Sequence, residues 1–376
     1  MGVAQDRRSL GLDVLRVAAT ACVLLSHFGV FAAVHWHLPH ADLMFVAGPL
    51  GLAGFFVLSG YLIGGLLLRI VETGPGIRAW RGFTLRRLLR VLPTYLLWLI
   101  VLAMVDPPTR PIHAGMFAHY FTLTQNLAWP MVDNDWFGVS WSLAIEVWFY
   151  LGFGALSLAA AARWGMRGLL AVLAAFLLLP LLARAFMPID LPWDAWIRKV
   201  VLLRLDAIAS GVAVAVAMRH GDWLDRHRRA LGLAGAMLLL GVLLWWTLVV
   251  RGFELHERFA RTFVFNGLQL GVALLVPALL HLRSASSRWR AAWAWLSDAT
   301  YAIYLVHLSM LLWALRLVEH GVIPFVPAMA LALVATLAWA AFSLHVIEWP
   351  IRRWRLRLAA PPRAVAGTSG SCERAA

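Results

Sequence analysis

The chain has 376 residues, of which 62% are apolar and only 14% are charged, and its mean hydropathy is +0.76. Soluble domains are about a quarter charged, so most of this chain is predicted to lie in a lipid bilayer. The net charge of +14 would suit a nucleic-acid partner, but the arginines stand at the ends of apolar runs. That placement excludes nucleic-acid binding and is typical of residues that orient membrane spans.

Ten apolar windows are long enough to cross a bilayer, at residues 13–34, 46–69, 88–105, 139–162, 168–187, 200–218, 230–250, 260–281, 294–316 and 326–348. With the N-terminus inside, the inner ends and loops hold roughly three times as many Lys and Arg residues as the outer ones. The sequence therefore predicts an all-α polytopic membrane protein with about ten transmembrane helices and both termini in the cytoplasm. One transmembrane domain is predicted over residues 1–357, followed by a disordered cytoplasmic tail over 358–376.

The first window contains RVAATACVLLSH at residues 16–27, with an ionisable group at each end. Eleven helical steps of about 100° end only about 20° past three full turns, so Arg16 and His27 share one helix face. Asp13 precedes Arg16 by three residues and can pair with it at the inner edge of the span. Two interpretations stay open for His27: an imidazole hydrogen-bonded between helices, or a base inside the membrane that takes a proton from a hydroxyl.

The third window begins with a run of arginines, RGFTLRRLLRVLP at residues 81–93. Arg90 lies one helical turn from both Arg86 and Arg87, so two or three guanidinium groups can converge on one anion. The planar fork of Arg suits bidentate phosphate binding. Orientation of the span explains any single arginine here, but the cluster as a whole favours a phosphate site.

The fourth and ninth windows carry further polar side chains inside the predicted membrane. Ser142 and Glu146 are four residues apart and share a helix face, and Tyr304 and His307 lie one turn apart. A carboxylate at membrane depth needs a partner. Glu146 is predicted either to orient His27, as the third member of a catalytic triad orients its histidine, or to pin two helices together.

In their order and spacing, these stretches resemble the membrane-bound acyltransferase-3 family of bacterial O-acyltransferases, over about residues 10–355. Arg16 and His27 are similar to the family's Arg-x10-His motif, and Arg87-x-x-Arg90 to its basic motif. FFVLSGYLIG at 55–64, which contains Ser59, resembles the second-helix signature. WSLAIE at 141–146, YAIYLVH at 301–307 and IEWP at 347–350 resemble the later motifs. Some members carry a serine three residues before the motif tryptophan, where this chain has Gly138.

The resemblance implies transfer of an acyl group, most often acetyl, from cytoplasmic acyl-CoA to a hydroxyl of a sugar in a surface polysaccharide or a glycolipid. It places the protein in the bacterial inner membrane, with acyl-CoA as co-substrate, no bound cofactor and no metal. His27 and Glu146 are the expected catalytic residues, and Arg16, Arg86, Arg87 and Arg90 the expected donor-binding residues. The expected supporting residues are Asp13, Ser59, Trp141, Ser142, Tyr304 and His307.

Other functions remain open from the residues alone. A transporter or flippase of a glycan or a lipid-linked precursor would also bury charges, although no internal repeat supports it. HWHLPH at 35–40 suggests a metal site, and Asp133 with Asp135 suggests a polyprenyl-phosphate glycosyltransferase. The order of the family motifs favours the acyltransferase over all three.

Overall fold

The computed structural model describes residues 8–39, 41–105, 114–131, 136–252, 254–283 and 286–353. Within these residues the chain is helical and contains no strand, which confirms the all-α prediction. Twelve α-helices follow one another in this part of the chain: α1 (Leu10–His35), α2 (Asp42–Phe45), α3 (Ala47–Thr73), α4 (Ile77–Val105), α5 (Ala114–Thr122), α6 (Ser140–Phe186), α7 (Leu205–His220), α8 (Trp223–Arg226), α9 (Arg228–Trp245), α10 (Arg258–Leu279), α11 (Ser287–Glu319) and α12 (Phe325–Ser343).

Eight helical stretches in the described residues are long and apolar enough to cross a bilayer, so this is a multi-pass membrane protein. The stretches include α1, α3, α4, α6, α9, α10, α11 and α12. The sixth predicted window corresponds to α7. With 16 residues, α7 is the shortest of the helices that match a predicted span. Ten crossings require that α6 crosses the membrane twice and that α7 crosses it once, so the count of ten stays a prediction.

Helix α6 accounts for two predicted spans because it is broken. At 47 residues a straight helix would be about 70 Å long, far more than a bilayer needs. Gly165 adopts a left-handed φ of 57°, and a Cβ on nearby Gly168 would lie 2.3 Å from the carbonyl oxygen of Ala160. Beyond this break the chain turns back, and the ring of Phe176 lies 5.1 Å from that of Phe153. The fourth and fifth predicted spans are thus the two arms of one hairpin.

Helix α3 packs against α1, α6, α7 and α10. Its contact with α7 is close because both helices have glycine at the crossing. A Cβ on Gly60 would lie 1.9 Å from the carbonyl oxygen of Ile208, and one on Gly211 would lie 2.0 Å from that of Val57. Such close backbone packing is common between membrane helices, where small residues allow strong van der Waals contact. It fixes the position of the α3 face that carries Ser59.

Of the two charged residues within the sixth predicted window, Asp206 is neutralised by an ion pair. Arg184 donates two hydrogen bonds to the carboxylate of Asp206, at 3.0 and 2.7 Å, and both side chains are almost fully buried. Asn266 bonds to both partners. Arg204 lies 3.4 Å from the ring centroid of Phe265, which offers its π face to the cation. These contacts explain how the weakest apolar window holds two ionisable residues.

The segments predicted to be cytoplasmic meet at one end of the bundle. Arg8 donates hydrogen bonds to Asp13 at 2.7 Å and to Asp298 at 3.0 Å, and Arg352 lies 3.5 Å from Asp298. These contacts join the starts of α1 and α11 to the last described turn of the chain. The side of the membrane on which this end lies stays a prediction.

Some predictions concern residues outside the described ranges, namely the tail 358–376, His40, Asp133 and Asp135. Of the other histidines in HWHLPH, His35 is the last residue of α1 and stacks on Phe325 with ring centroids 3.8 Å apart.

Candidate active site

Three adjoining cavities follow one another through the bundle. The inner cavity, about 580 Å³, lies between the starts of α1 and α11 and residues 344–352. The central cavity, about 100 Å³, lies between α1, α3, α4, α6 and α11, and the outer cavity, about 590 Å³, lies at their far ends beside residues 198–199. Arg16 and Arg90 line both the inner and the central cavity, and Leu52 and Tyr304 line both the central and the outer cavity. Neighbouring cavities therefore share lining residues, and these side chains stand between one cavity and the next.

Three of the four predicted donor-binding arginines meet in the central cavity. Arg16, Arg87 and Arg90 all line it, although they come from α1 and α4. Arg16 donates a hydrogen bond to Ser297 Oγ at 2.7 Å and lies 3.8 Å from Asp13, so the predicted pair with Asp13 is present. These arginines concentrate positive charge where the inner cavity meets the central one.

Arg86 does not join this group. Its side chain is exposed and lies beside Gly82, where a Cβ would be 3.2 Å from Nη1, and Arg86 lines none of the three cavities. Arg86 and Arg87 point about 100° apart, and Arg87 is the one of the two that lines the central cavity with Arg90. The prediction that Arg86 shares the donor site is not supported by this placement.

Glu146 lies in the central cavity at the centre of a hydroxyl network. Ser59 Oγ donates a hydrogen bond to Glu146 Oε1 at 2.8 Å, and the hydroxyl of Tyr150 donates to the same oxygen. The two hydroxyl groups are 3.0 Å apart, and the guanidinium of Arg87 lies over the Tyr150 ring at 5.9 Å. The network supplies the partners that a carboxylate needs at membrane depth.

His27 lines the outer cavity and pairs with His307. Nδ1 of His27 and Nε2 of His307 are 3.0 Å apart, and Nδ1 of His307 is 2.7 Å from the carbonyl oxygen of Tyr304. A carbonyl oxygen only accepts, so Nδ1 of His307 carries a proton and, in the neutral ring, Nε2 accepts. His27 then donates from Nδ1, which leaves its Nε2 with an unshared electron pair. This arrangement holds a base in one defined tautomer.

The expectation that Glu146 orients His27 is not met. The hydrogen-bond partners of Glu146 are Ser59 and Tyr150, whereas His27 contacts His307 and the backbone of Val23. The carboxylate lines the central cavity and the imidazole lines the outer one. His307, which is fully buried on α11, occupies the position of the third triad member instead.

The other supporting residues lie at the junction between the central and outer cavities. Ser142 Oγ and the Tyr304 hydroxyl are 2.6 Å apart, and Ser142 also lies 3.2 Å from the carbonyl oxygen of Val139. Trp141 and Gly138 line the outer cavity with His27. The structure thus brings the second, fourth and ninth predicted spans together around His27.

Sequence reasoning missed two basic residues of the outer cavity, Arg198 and Lys199, which it counted only as outer-side charge. Both pair with Asp194, Lys199 at 2.6 Å. Burial raises the pKa of the Asp194 carboxyl, but the two cations lower it more strongly, to about 2. The sequence signal for these two residues was a pair of adjacent basic residues at the predicted outer end of a span, where the positive-inside rule does not explain them.

Comparisons with known proteins identify a family for this chain. A family model described as an acyltransferase domain matches residues 9–345. A putative O-acetyltransferase of Staphylococcus aureus (strain COL) is 31% identical over 157 residues, which cover 38% of this chain and 24% of the relative. The peptidoglycan O-acetyltransferase OatA of Listeria monocytogenes is 26% identical over 357 residues, which cover 88% of this chain and 55% of the relative.

The match therefore spans about a quarter to about half the length of these curated relatives. No solved structure gave a significant match.

Proposed function

This chain belongs to the acyltransferase-3 family, and from that premise we propose that it is an O-acetyltransferase of the bacterial inner membrane. It takes the acetyl group from cytoplasmic acetyl-CoA and transfers it to a hydroxyl of a glycan, either a surface polysaccharide precursor or a glycolipid. The relatives' names support acetyl as the acyl group and, in one case, a cell-wall glycan as the acceptor.

The cationic junction supports a phosphate-bearing donor that enters from the inner cavity. Arg16, Arg87 and Arg90 face one narrow space, and guanidinium groups bind phosphate through paired, charge-assisted hydrogen bonds. The phosphates of CoA bind at this junction, and the uncharged pantetheine arm extends through the central cavity towards Tyr304. That direction carries the thioester to the outer cavity and His27.

The observation that carries the proposal is the contact of His27 with His307 at the outer cavity, from which we infer the tautomer with an unshared Nε2. The acceptor hydroxyl gives its proton to Nε2 while its oxygen attacks the thioester carbonyl carbon. The tetrahedral intermediate collapses with cleavage of the C–S bond, and the imidazolium returns the proton to the leaving CoA sulfur. The products are an acetyl ester and CoA thiol, so atoms and charge balance. His307 accepts the hydrogen bond from Nδ1 and holds the ring in place throughout.

Glu146 acts on the donor side of this reaction. Its carboxylate fixes the hydroxyls of Ser59 and Tyr150 in the central cavity and attracts Arg87 across it. We assign it the role of keeping the central cavity polar and open for the amide groups of pantetheine. This role replaces contact with His27.

Incubation of the purified full chain in nanodiscs with acetyl-labelled acetyl-CoA and cell-envelope glycans separates the proposal from the transporter alternative. An acetyltransferase releases CoA thiol and moves the label to glycan. A transporter or flippase leaves the thioester intact and, in sealed vesicles, moves glycan across the membrane. Label that never reaches glycan, together with glycan movement, would contradict the proposal.

A further inference from the structure

The outer cavity has a cationic wall. Among its described lining residues, Arg198, Lys199 and Arg316 are basic, and Glu319 is the carboxylate. His27 lines the same cavity, so these charges lie around the place where the proposed reaction occurs. The donor phosphates are already accounted for at the inner junction, which leaves the outer cations without a role in donor binding.

Arg198 is held rigidly in this wall. Its Nε donates a hydrogen bond to Asp194, and its guanidinium lies 5.0 Å from the ring centroid of Trp141 and 5.4 Å from that of Phe45. Its side chain is only 12% exposed. Placing a cation in such a poorly hydrated site is costly, which makes Arg198 a candidate functional residue. Asp194 pairs with two cations at once, Arg198 and Lys199.

The position of Arg198 also affects which kind of sugar the outer cavity favours. A neutral sugar ring commonly packs on an aromatic face through its apolar C–H groups, and Trp141 is the tryptophan of this cavity. Here the guanidinium of Arg198 covers one face of that indole. The cavity therefore presents a planar, preorganised cation beside the base, which favours an anion over a neutral ring.

We infer that the acceptor is an anionic glycan, whose carboxylate or phosphate group binds Arg198 while a neighbouring hydroxyl reaches His27. The inference rests on the proposed function and specifies its substrate class. A bidentate guanidinium–oxyanion contact fixes one end of the sugar, so it selects which hydroxyl lies at Nε2. Lys199 adds positive charge to the same wall.

The test measures binding and transfer with matched probes on the full chain in nanodiscs. Oligoglucuronate is compared with its methyl ester, which keeps every ring hydroxyl but has no charge, and maltose 1-phosphate is compared with maltose. Variants Arg198→Gln and Arg198→Lys are compared with Arg258→Gln, which removes an exposed predicted outer arginine that lines none of the three cavities. Acetyl-CoA affinity, measured in every variant, reports whether the fold and donor site are intact.

We expect at least one anionic probe to bind wild-type protein at least tenfold more tightly than its neutral partner. Arg198→Gln should abolish that preference with unchanged acetyl-CoA affinity, Arg198→Lys should restore part of it, and Arg258→Gln should keep it. Preference for oligoglucuronate identifies a carboxylate, and preference for maltose 1-phosphate identifies a phosphate.

Equal binding of charged and neutral probes, or no binding of either anion, would overturn the inference. It would also be overturned if Arg198→Gln slowed transfer to charged and neutral acceptors alike, because Arg198 would then stabilise the reaction itself. These results leave the proposed function standing as long as acetyl-CoA is cleaved in the presence of envelope glycan. Loss of that cleavage in wild-type protein would count against the proposed function instead.

Discussion

At the level of single residues, the chemistry depends on which nitrogen of His27 carries a proton. The contact with His307 places that proton on Nδ1, because His307 is itself committed to donating to the carbonyl oxygen of Tyr304. A ring free to rotate or to change tautomer would spend part of its time with Nε2 protonated and unable to act as a base. We therefore propose that His307 positions His27 without contacting either substrate.

This role predicts different outcomes for two substitutions of His307. Asn presents an amide oxygen to Nδ1 of His27 and an amide N–H to the carbonyl of Tyr304, whereas Leu presents neither. We expect His307→Leu to lower kcat at least 100-fold with little change in the KM for acetyl-CoA, and His307→Asn to recover part of the loss. Steady-state kinetics on protein of equal folded yield measures both. Equal kcat values in the two variants would show that His307 only fills space.

The arginine cluster predicts a contrast along α4. A lost hydrogen bond to a charged group costs about 1.5–3 kcal/mol, or about 10- to 150-fold in affinity. Arg87→Ala and Arg90→Ala should each weaken acetyl-CoA binding within that range. Arg86→Ala is the matched control from the same turn, because Arg86 lines none of the cavities.

Equilibrium binding of labelled acetyl-CoA measures all three variants. An effect of Arg86→Ala as large as that of Arg87→Ala would mean that only the summed charge of the inner surface matters.

At the level of helices, the site depends on how closely α3 and α7 approach. Gly60 lies on the side of α3 that touches α7. The preceding residue, Ser59, carries the hydroxyl that is bonded to Glu146. A methyl group at position 60 would meet the backbone of Ile208 at 1.9 Å, and backbone cannot move aside as a side chain can. The helices must separate, which costs about 1–3 kcal/mol for an overpacked contact.

Gly60→Ala should therefore lower the melting temperature and the folded yield, while Gly65→Ala should not. Gly65 lies on the same helix and has no atom within 4 Å of a Cβ built on it. Ala is also the better helix former, so Gly65→Ala should be neutral or slightly stabilising. Thermal unfolding in detergent provides the measurement. Equal stability of the two variants would contradict the close packing of α3 on α7.

The helices themselves were largely predictable, because apolar length and helix-terminal charge are local properties of the sequence. Residues 163–167, which separate the fourth and fifth windows, contain the Gly165 break of α6. The sixth window was less well predicted: its helix begins only at Leu205, after a short irregular segment that includes Arg204. The ion pair that makes this possible joins Arg184 to Asp206 across two helices, and no local pattern reveals it.

The residues of the candidate site could be predicted from the sequence, but the contacts between them could not. The motifs identify His27, Glu146 and His307, yet which of them touch depends on helix packing between residues 280 positions apart. By analogy with a catalytic triad, Glu146 was the predicted partner of His27, whereas in the helix bundle His307 contacts His27. The direction of Arg86 and the presence of Arg198 in the outer cavity likewise follow from rotation and packing of whole elements.

For the whole molecule, the proposed reaction requires a donor on the cytoplasmic side and an acceptor on the outer side of the bundle. The inner cavity must then open to the cytoplasm, and α5 and the outer cavity must face outwards. Single cysteines test this orientation in a Cys22→Ser, Cys372→Ser background. Ala118→Cys on α5 is at an exposed position and Asp225→Cys on α8 replaces a side chain that is 46% exposed, so labelling depends on sidedness.

A membrane-impermeant maleimide added to intact cells should label position 118 and leave position 225 unlabelled until the membrane is opened. The reverse pattern would place the arginine junction on the outside, where acetyl-CoA is absent, and would contradict the proposed direction of transfer.

The central claim is that His27 performs the proton transfer and does not serve donor binding. It is tested most directly by a single-turnover measurement with labelled acetyl-CoA and envelope glycan, on wild-type protein and His27→Ala in parallel. We expect His27→Ala to bind acetyl-CoA within about twofold of wild type, because the arginine junction is untouched, and to transfer no measurable acetyl group. Transfer by His27→Ala at a rate near that of wild type would show that another group is the base and would contradict the mechanism.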